Sequence, residues 1–382
     1  MADSSPESLL VVGPCRQETG GISQFIRGQA EELGDRLDVT VYNTSTPPER
    51  GALSAGGLAK VRWLAVAALS AIARVVLFPL YLDADVVHVH ASSRVSFYRK
   101  SVYIMLVRLL RDVPLVIHIH GSDFDAFLQE AGPLRRAYIQ TIFDQCSGVI
   151  VLSEYWANVL EEALDVSSIS VVPNPVDAER FVPVYDVDPP RIVYVSNLID
   201  RKGVEEFVTA IRRLLSWSDL EFTVDIAGRG PRSDLVTDLA AEFDAVEYHG
   251  FVSEAEKRAL LDEGSIYVLP TYAEGLPISL LEGMAGGNAI VSTTVGSIPE
   301  VVGPDNGHLV DPVDVDDLVE ALGALIRDDA RRQAMGRTNR AAIEAEHTWA
   351  HISDRLLETY GGLTDGDDPA PDRVALGAQM SD

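Results

Sequence analysis

Short apolar runs alternate with longer stretches of helical periodicity along most of the chain, and this alternation constrains the fold more than any other feature. Runs at 8–13, 86–90, 115–120, 149–153 and 169–173 read as one series of buried strands. A second series follows at 192–196, 222–228, 266–270 and 289–293. Strands separated by helices in this way form parallel sheets covered on both faces, so the expected class is α/β. A chain of 382 residues with 47% hydrophobic content exceeds one small core, and two domains are expected. Pro183, Pro189 and Pro190 interrupt regular structure between 177 and 190. They mark the expected boundary between an N-terminal domain, 1–185, and a C-terminal one, 190–349. The stretch after Gly361 is rich in Asp, Gly and Pro and reads as a disordered acidic tail, 362–382.

Charge narrows the function classes. With 31 basic and 58 acidic side chains, the net charge of -27 argues against general nucleic-acid binding. Only four of the basic residues are lysines: Lys60, Lys100, Lys202 and Lys257. Abundant acid with Arg in place of Lys is the composition of a halophile's cytoplasm, where salt screens a self-repelling carboxylate surface. A halophilic archaeon is the expected source. The two cysteines, Cys15 and Cys146, are too few for a disulfide framework or a Cys-based zinc site. The first residues lack a basic n-region, so no signal peptide is expected and the setting expected is cytoplasmic.

The charge is also segregated. Between Ser54 and Asp112 stand eight basic and three acidic residues, a net +5 in an acidic chain. The stretch 99–111 reads as a basic amphipathic helix for an anionic membrane surface. Arg94, Arg99, Lys100, Arg108 and Arg111 are its contact set, and docking would be peripheral, on the inner face of the membrane. A solvated helix face is the alternative. Residues 63–82 are almost continuously apolar, with Arg74 the one charge. That length could span a membrane. Arg74 at the middle and Pro79 near the end favour a buried helix pair in the first domain instead.

In open α/β sheets ligands bind beyond the carboxyl ends of the strands, and the residues there carry the chemistry. Glu274-Gly275-Leu276-Pro277-Ile278-Ser279-Leu280-Leu281-Glu282 follows a strand-like run and opens a helix. Pro277 fits the first turn. The free N–H groups of Ile278 and Ser279 would face back toward the loop and attract phosphate. Carboxylates accept hydrogen bonds from sugar hydroxyls, so the segment fits a nucleotide sugar. Two glutamates at this spacing are common by chance among 58 acids; the strand and the Gly-Leu-Pro step sharpen the match. Asn197 begins a second strand-end segment that includes Arg201 and Lys202, a bidentate fork beside a point charge, suited to a diphosphate. A solvated basic pair is the plain alternative. Gly228 and Gly230 form a Gly-x-Gly turn, which admits close backbone approach or is simply tight.

In the first half, His118 and His120 share one strand face, and His120 stands at the strand end. A satisfied core histidine is the common alternative. Metal binding by His118, His120, Asp123 and Asp125 is conceivable from ligand type but is not adopted. Gly20 and Gly21 follow the first strand, where a phosphate or acceptor hydroxyl could enter. The pattern is not the dinucleotide fingerprint, so NAD has no support, and there is no Walker-type loop.

From Glu274 to Val301, including Gly286-Gly287 and the Gly296 to Glu300 turn, the sequence resembles the donor-sugar segment of the retaining GT-B glycosyltransferases of family 4. The resemblance extends over nearly the whole chain. It implies a GT-B fold, two Rossmann-like domains with parallel sheets facing a central cleft, and a last helix near 350–361 that crosses back to the first domain. By the same resemblance Arg201 and Lys202 hold the donor phosphates, Glu274 orients the sugar hydroxyls and Glu282 holds the ribose. His120 borders the donor sugar, and Gly20 and Gly21 lie in the acceptor-side loop. Phe251 or Val252 lines the base pocket, with a plain core role for Phe251 equally open. Asn197, Gly228, Gly230 and the segment Gly275 to Ser279 complete the donor site. No metal and no other cofactor is implied, because the nucleotide sugar is a substrate. The expected activity is hexosyl transfer with retention from a nucleoside-diphosphate sugar to a glycan or lipid-linked acceptor. A sugar-nucleotide epimerase or hydrolase, or a non-catalytic membrane-associated binding protein, would use the same fold.

Overall fold

A computed structural model describes residues 6–15, 20–45, 58–166 and 168–365. Expectations that rest on Thr19, on 54–57 of the basic segment and on the tail beyond 365 lie outside the described residues. The chain forms two compact units. One comprises the residues up to Val172 together with the segment from Ser353; the other is Pro173–Ile352.

The first unit is built on β1 (Ser8–Gly13), β2 (Asp38–Asn43), β3 (Val86–Ala91), β4 (Leu115–Ile119), β5 (Gly148–Val151) and β6 (Ile169–Val171). They pair in the order β2-β1-β3-β4-β5-β6, all parallel. The second unit holds β7 (Arg191–Val195), β8 (Thr223–Ala227), β9 (Val246–Gly250), β10 (Ile266–Leu269), β11 (Ala289–Thr293) and β12 (Gly307–Val310). Their order is β12-β11-β10-β7-β8-β9, again parallel. This is the doubly wound α/β class that the alternation predicts. Each sheet reverses direction once, between β1 and β3 in the first and between β7 and β10 in the second. Those reversals are where loops diverge and a crevice opens.

The central strands are wholly buried, as continuous apolar runs require: Leu9 to Val12 in β1 and Ile266 to Leu269 in β10 show no exposure. In the second unit the helix Val204–Leu215 lays Phe207, Ile211 and Leu214 on the sheet, and Tyr194 packs on Phe207 at 4.6 Å between ring centres.

Three expectations are corrected. Residues 63–82 are not a buried pair. They form one helix, Leu58–Leu77, followed by a 3-10 turn, Phe78–Tyr81, and nearly all of this lies on the surface, with Phe78 and Leu82 the buried exceptions. Arg74, which suggested burial, turns inward and donates to the Ser45 carbonyl, so its charge does not interrupt the outer face. The helix Val95–Leu110 does not present a continuous basic face either. Lys100 is fully buried and bonded to Thr44 Oγ1. Arg94 pairs with Asp123 and Glu130, while Arg108 donates to the carbonyls of Gln145 and Val113. Arg99 and Arg111 remain exposed. Finally, the last helix, Trp349–Asp365, continues beyond Gly361, where a tail was expected to begin.

Candidate active site

In the second unit the two arms of the site leave the sheet at its point of reversal. After β7 the chain makes a single 3-10 turn, Asp200–Lys202, closed by Gly203 in the left-handed region. After β10 it runs through Thr271 to Glu274 and then opens the helix Ile278–Ala285. Pro277 is the cap residue of that helix and stands just before its first turn. Cross-links hold the arms together: the Tyr272 N–H and the Thr271 hydroxyl both donate to the Arg201 carbonyl, at 2.8 and 2.9 Å.

Charge converges there. Glu274 is 6% exposed, and its Oε1 accepts from Lys202 Nζ and from the Thr271 hydroxyl at 3.0 Å. Arg201 Nη1 lies 3.3 Å from the same oxygen and also donates to the Ala273 carbonyl. Burial lowers the Lys202 ammonium below its ordinary range, opposed by Glu274. Two cations share one carboxylate, so the cluster keeps a positive charge, and the Arg201 side chain, 36% exposed, carries it outward. A buried cation with only part of its charge matched is prepared to receive an anion.

The surrounding turns explain why glycine is needed. Gly228 has φ 144, and a Cβ there would collide with the Ser196 carbonyl. The Gly228–Gly230 turn packs directly on the backbone that carries Asn197: the Leu198 N–H donates to the Arg229 carbonyl at 3.0 Å. Its glycines thus serve close approach of two loops of the site. Gly275 is held in the same way, its carbonyl accepting from the Ser297 N–H at 3.2 Å, and Asn174 Nδ2 donates to the Leu276 carbonyl at 2.6 Å.

Glu282 lies in a second ion pair. Lys257 Nζ sits 2.7 Å from Glu282 and 2.7 Å from Glu254. Burial works against its charge, yet the two carboxylates together raise the Lys257 ammonium above its ordinary value. Phe251 is not core: it is exposed, with the Arg229 guanidinium 4.8 Å over its ring. Val252, half-buried, precedes Ser253, which caps the helix Glu254–Asp262 in a reciprocal capping box with Glu256. Lys257 and Arg229 were not singled out from sequence as site residues. The lysine carried a signal. Of the four lysines, Lys100 and Lys202 are buried and Lys257 keeps only 12% of its side chain exposed. In this chain a retained lysine usually marks an interior point charge.

The remaining site residues stand in the first unit. Gly20, with φ 95, caps the helix that opens at Gly21. His120 follows β4 and belongs to a stack of four imidazoles, with ring centres 3.9 Å apart for His118–His120 and 4.2 Å for His88–His90. His120 Nε2 meets His90 Nδ1 at 2.8 Å, and His90 Nε2 meets Gln29 Oε1 at 2.9 Å. Gln29 Nε2 reaches the Tyr360 hydroxyl at 2.8 Å. Burial pushes His88 and His120 down to about 3 and holds His90 and His118 well below the usual imidazole range. Nitrogens of His88, His90 and His118 lie within 4.8 Å of one another. Rings stacked face to face aim their lone pairs side by side rather than at one point, a poor fit to a tetrahedral ion. Asp123 is engaged by Ser93 at 2.5 Å and by Arg94 at 3.2 Å, and Asp125 accepts from Tyr155 at 3.4 Å.

Two family models match the chain, Glycosyltransferase Family 4 over residues 19–180 and Glycosyl transferases group 1 over 189–328. The chain is 30% identical over 203 residues to the MMP alpha-(1->4)-mannosyltransferase of Mycolicibacterium hassiacum, covering 52% of this chain and 49% of that protein. It therefore spans about half the length of that relative. It is 28% identical over 324 residues to the alpha-maltose-1-phosphate synthase of Mycobacterium tuberculosis, covering 73% of this chain and 82% of the relative. Among solved structures it is similar to the sucrose-phosphate synthase from Thermosynechococcus elongatus, with a TM-score of 0.74 at 17% identity, covering 94% of this chain and all of that one (100%). The Anabaena HepE structure in complex with UDP has a TM-score of 0.71 at 16% identity, covering 92% and 99%. With one model on each half and parallel sheets in both units, the chain carries the two domains of a GT-B glycosyltransferase.

Proposed function

We propose that the protein transfers a hexose, with retention, from a nucleoside-diphosphate sugar to a glycan or lipid-linked acceptor, and that it does so without a metal. The observation that carries this reading is the cluster of Arg201, Lys202 and Glu274 at the point where the second sheet reverses. Departure of a nucleoside diphosphate leaves charge on the β-phosphate. Arg201, Lys202 and the start of the helix at Ile278 are the groups that would stabilise it. Glu274 already accepts from Lys202 and Thr271 and pairs with Arg201, so it suits a counter-ion and positioning role better than that of a nucleophile. Displacement on one face of the sugar, without a stable covalent intermediate, follows from that assignment. Glu282, pinned by Lys257, is assigned to the ribose, and Phe251 with Arg229 to the base.

UDP is the nucleotide bound to the similar HepE structure. The test is differential thermal stability with UDP, GDP and ADP, in high salt, on the wild type and on Arg201→Ala. One nucleotide should raise the wild-type melting temperature, and the variant should lose that rise while keeping its circular dichroism. A flat response to all three removes the donor-site reading. Free sugar or an epimer formed without acceptor would favour a hydrolase or epimerase. A halophilic, cytoplasmic setting belongs to the same proposal, supported by the acidic, lysine-poor composition. Full activity and cooperative folding in dilute buffer would remove the halophilic part.

A further inference from the structure

The first unit carries a surface that the transfer reaction does not use. Lys60–Tyr81 is long and apolar enough to cross a membrane by length and composition, and only 6% of its apolar window is buried. Its 20-residue helix, about 30 Å long, touches the unit along one narrow seam. Trp63, Ala67, Ser70 and Arg74 recur at spacings of three and four, and all are half-buried. The other sides are exposed and apolar, with Val61, Leu69, Ile72 and Val76 between 60% and 68% exposed. From Leu64 to Tyr81 the one charged side chain is Arg74, and it points inward.

The neighbouring helix, Val95–Leu110, extends this surface. Val95, Tyr98, Val102, Met105 and Leu109 follow one another at spacings of three, four, three and four, and all five are exposed. Aromatic contacts tie the elements together. Tyr42 packs on Phe78 at 5.1 Å and on Tyr81 at 4.9 Å, and Phe78 packs on Tyr103 at 4.9 Å. Tyr98 meets Tyr138 of the helix Pro133–Phe143 at 5.8 Å, beside the fully presented Leu134.

We infer that this face seats the first unit in the headgroup and acyl boundary of an anionic lipid bilayer, with the helix Leu58–Leu77 lying in the plane. Three observations select lipid as the occupant. A helix apolar on nearly all sides needs an apolar medium around it, whereas a protein partner covers one face. The exposed basic groups Lys60, Arg62, Arg99 and Arg111 accompany the patch in a chain of net charge -27, so an anionic surface attracts this face and repels the rest. Tyr81, exposed at the end of this segment, suits the headgroup level. The exposed acids Asp83 and Asp112 lie 4.0 Å from Arg111 and Arg108, respectively, and offset part of the charge at one end. In-plane seating is favoured over a span because the seam and Tyr42, whose hydroxyl donates to the Arg74 carbonyl at 2.5 Å, tie the helix to the unit.

Flotation of the purified full chain tests this, with phosphatidylcholine vesicles with and without phosphatidylglycerol, at the lowest salt at which the wild type still unfolds cooperatively, since salt screens the attraction. The wild type should float with the anionic vesicles. Leu69→Glu with Ile72→Glu should lower the floated fraction roughly tenfold or more. Lys60→Glu with Arg62→Glu should erase the preference for phosphatidylglycerol. Circular dichroism and urea midpoints equal to wild type show that each variant is folded, and nucleotide-dependent thermal shifts report on the other unit, so loss of docking and loss of the donor site are read separately. No flotation of the wild type, or flotation of the Leu69/Ile72 variant at the wild-type level, overturns the inference. Protein that alkaline carbonate cannot strip would show a span instead. A lipid-free wild-type dimer that the Leu69/Ile72 substitutions make monomeric would show that a second copy covers the face.

Discussion

Lys202 and Glu274 stand 72 positions apart and form a buried hydrogen-bonded ion pair, because β7 and β10 are neighbours in the second sheet. The strand order brings two distant loops to one place, and the pair joins them. Removing one partner leaves the other charge buried. Glu274→Gln should therefore destabilise the protein by about 3–5 kcal/mol. Lys202→Met with Glu274→Gln should restore part of that loss while remaining inactive. Urea unfolding at fixed salt checks both, and a loss below about 1 kcal/mol in the single variant would show that the pair is solvated.

Acid should weaken the first unit well before its carboxylates titrate. His88, His90, His118 and His120 are all held below the ordinary imidazole range by burial, His88 and His120 at about 3. Their unfolded values lie near 6.5, so the unfolded chain takes up protons first as pH falls. Stability is complete above about pH 6.5 and declines from there toward pH 3, by about 1.4 kcal/mol per pH unit for each uncompensated proton. Urea midpoints measured between pH 7.5 and 4.5 give the slope. His118→Phe should flatten it, since both His118 ring nitrogens are buried without partners and Phe25 already meets the ring edge-on at 5.0 Å. An unchanged slope would assign the acid sensitivity to other groups.

Gly228→Ala tests the contact between the two donor-side loops. A methyl group there meets the Ser196 carbonyl, in a backbone conformation that side chains seldom adopt. Strain of this kind costs about 1–3 kcal/mol before the collision is counted. Thermal unfolding should show at least that loss, together with a weaker nucleotide-dependent shift. A variant that melts like the wild type would show that the loop can retreat freely.

Lys257→Met probes the second ion pair. Lys257 is the link between Glu254 and Glu282, each at 2.7 Å. Without it Glu282 loses its orientation. Nucleotide affinity, followed by titration calorimetry, should fall by about tenfold, equivalent to about 1.4 kcal/mol. Turnover at saturating donor should change much less, and the reverse pattern would move Glu282 from binding to chemistry.

Nine of the twelve strands among the described residues were legible because they are continuous apolar runs. The three that escaped are β2, β9 and β12, and each is the edge of a sheet. An edge strand is half-solvated, so β2 carries Asp38, Thr40 and Asn43, β9 carries Glu247 and His249, and β12 has only four residues. Polar residues at those places erase the apolar signal. The loop motifs were legible as chemistry but not as partners: nothing in the spacing of Arg201, Lys202 and Glu274 says that one carboxylate oxygen serves both cations. The basic helix misled for a related reason. Sequence counts charges, whereas Lys100 and Arg94 spend theirs inside the unit or on acids brought near by the fold. With Trp63 to Leu82, Arg74 and Pro79 argued for burial; only the inward turn of Arg74 shows how such a helix can stay apolar on its outer face.

The wholly buried Tyr360 closes the histidine stack of the first unit through Gln29 and His88. Its position after the second unit in the sequence sets an order of events during synthesis. While the ribosome is still making the second unit, the first has emerged without the hydroxyl that Gln29 and His88 meet in the folded protein. That unit becomes complete only when the helix Trp349–Asp365 leaves the exit tunnel, so a stop codon shortly before Ser353 would damage the earlier-made unit rather than the later one.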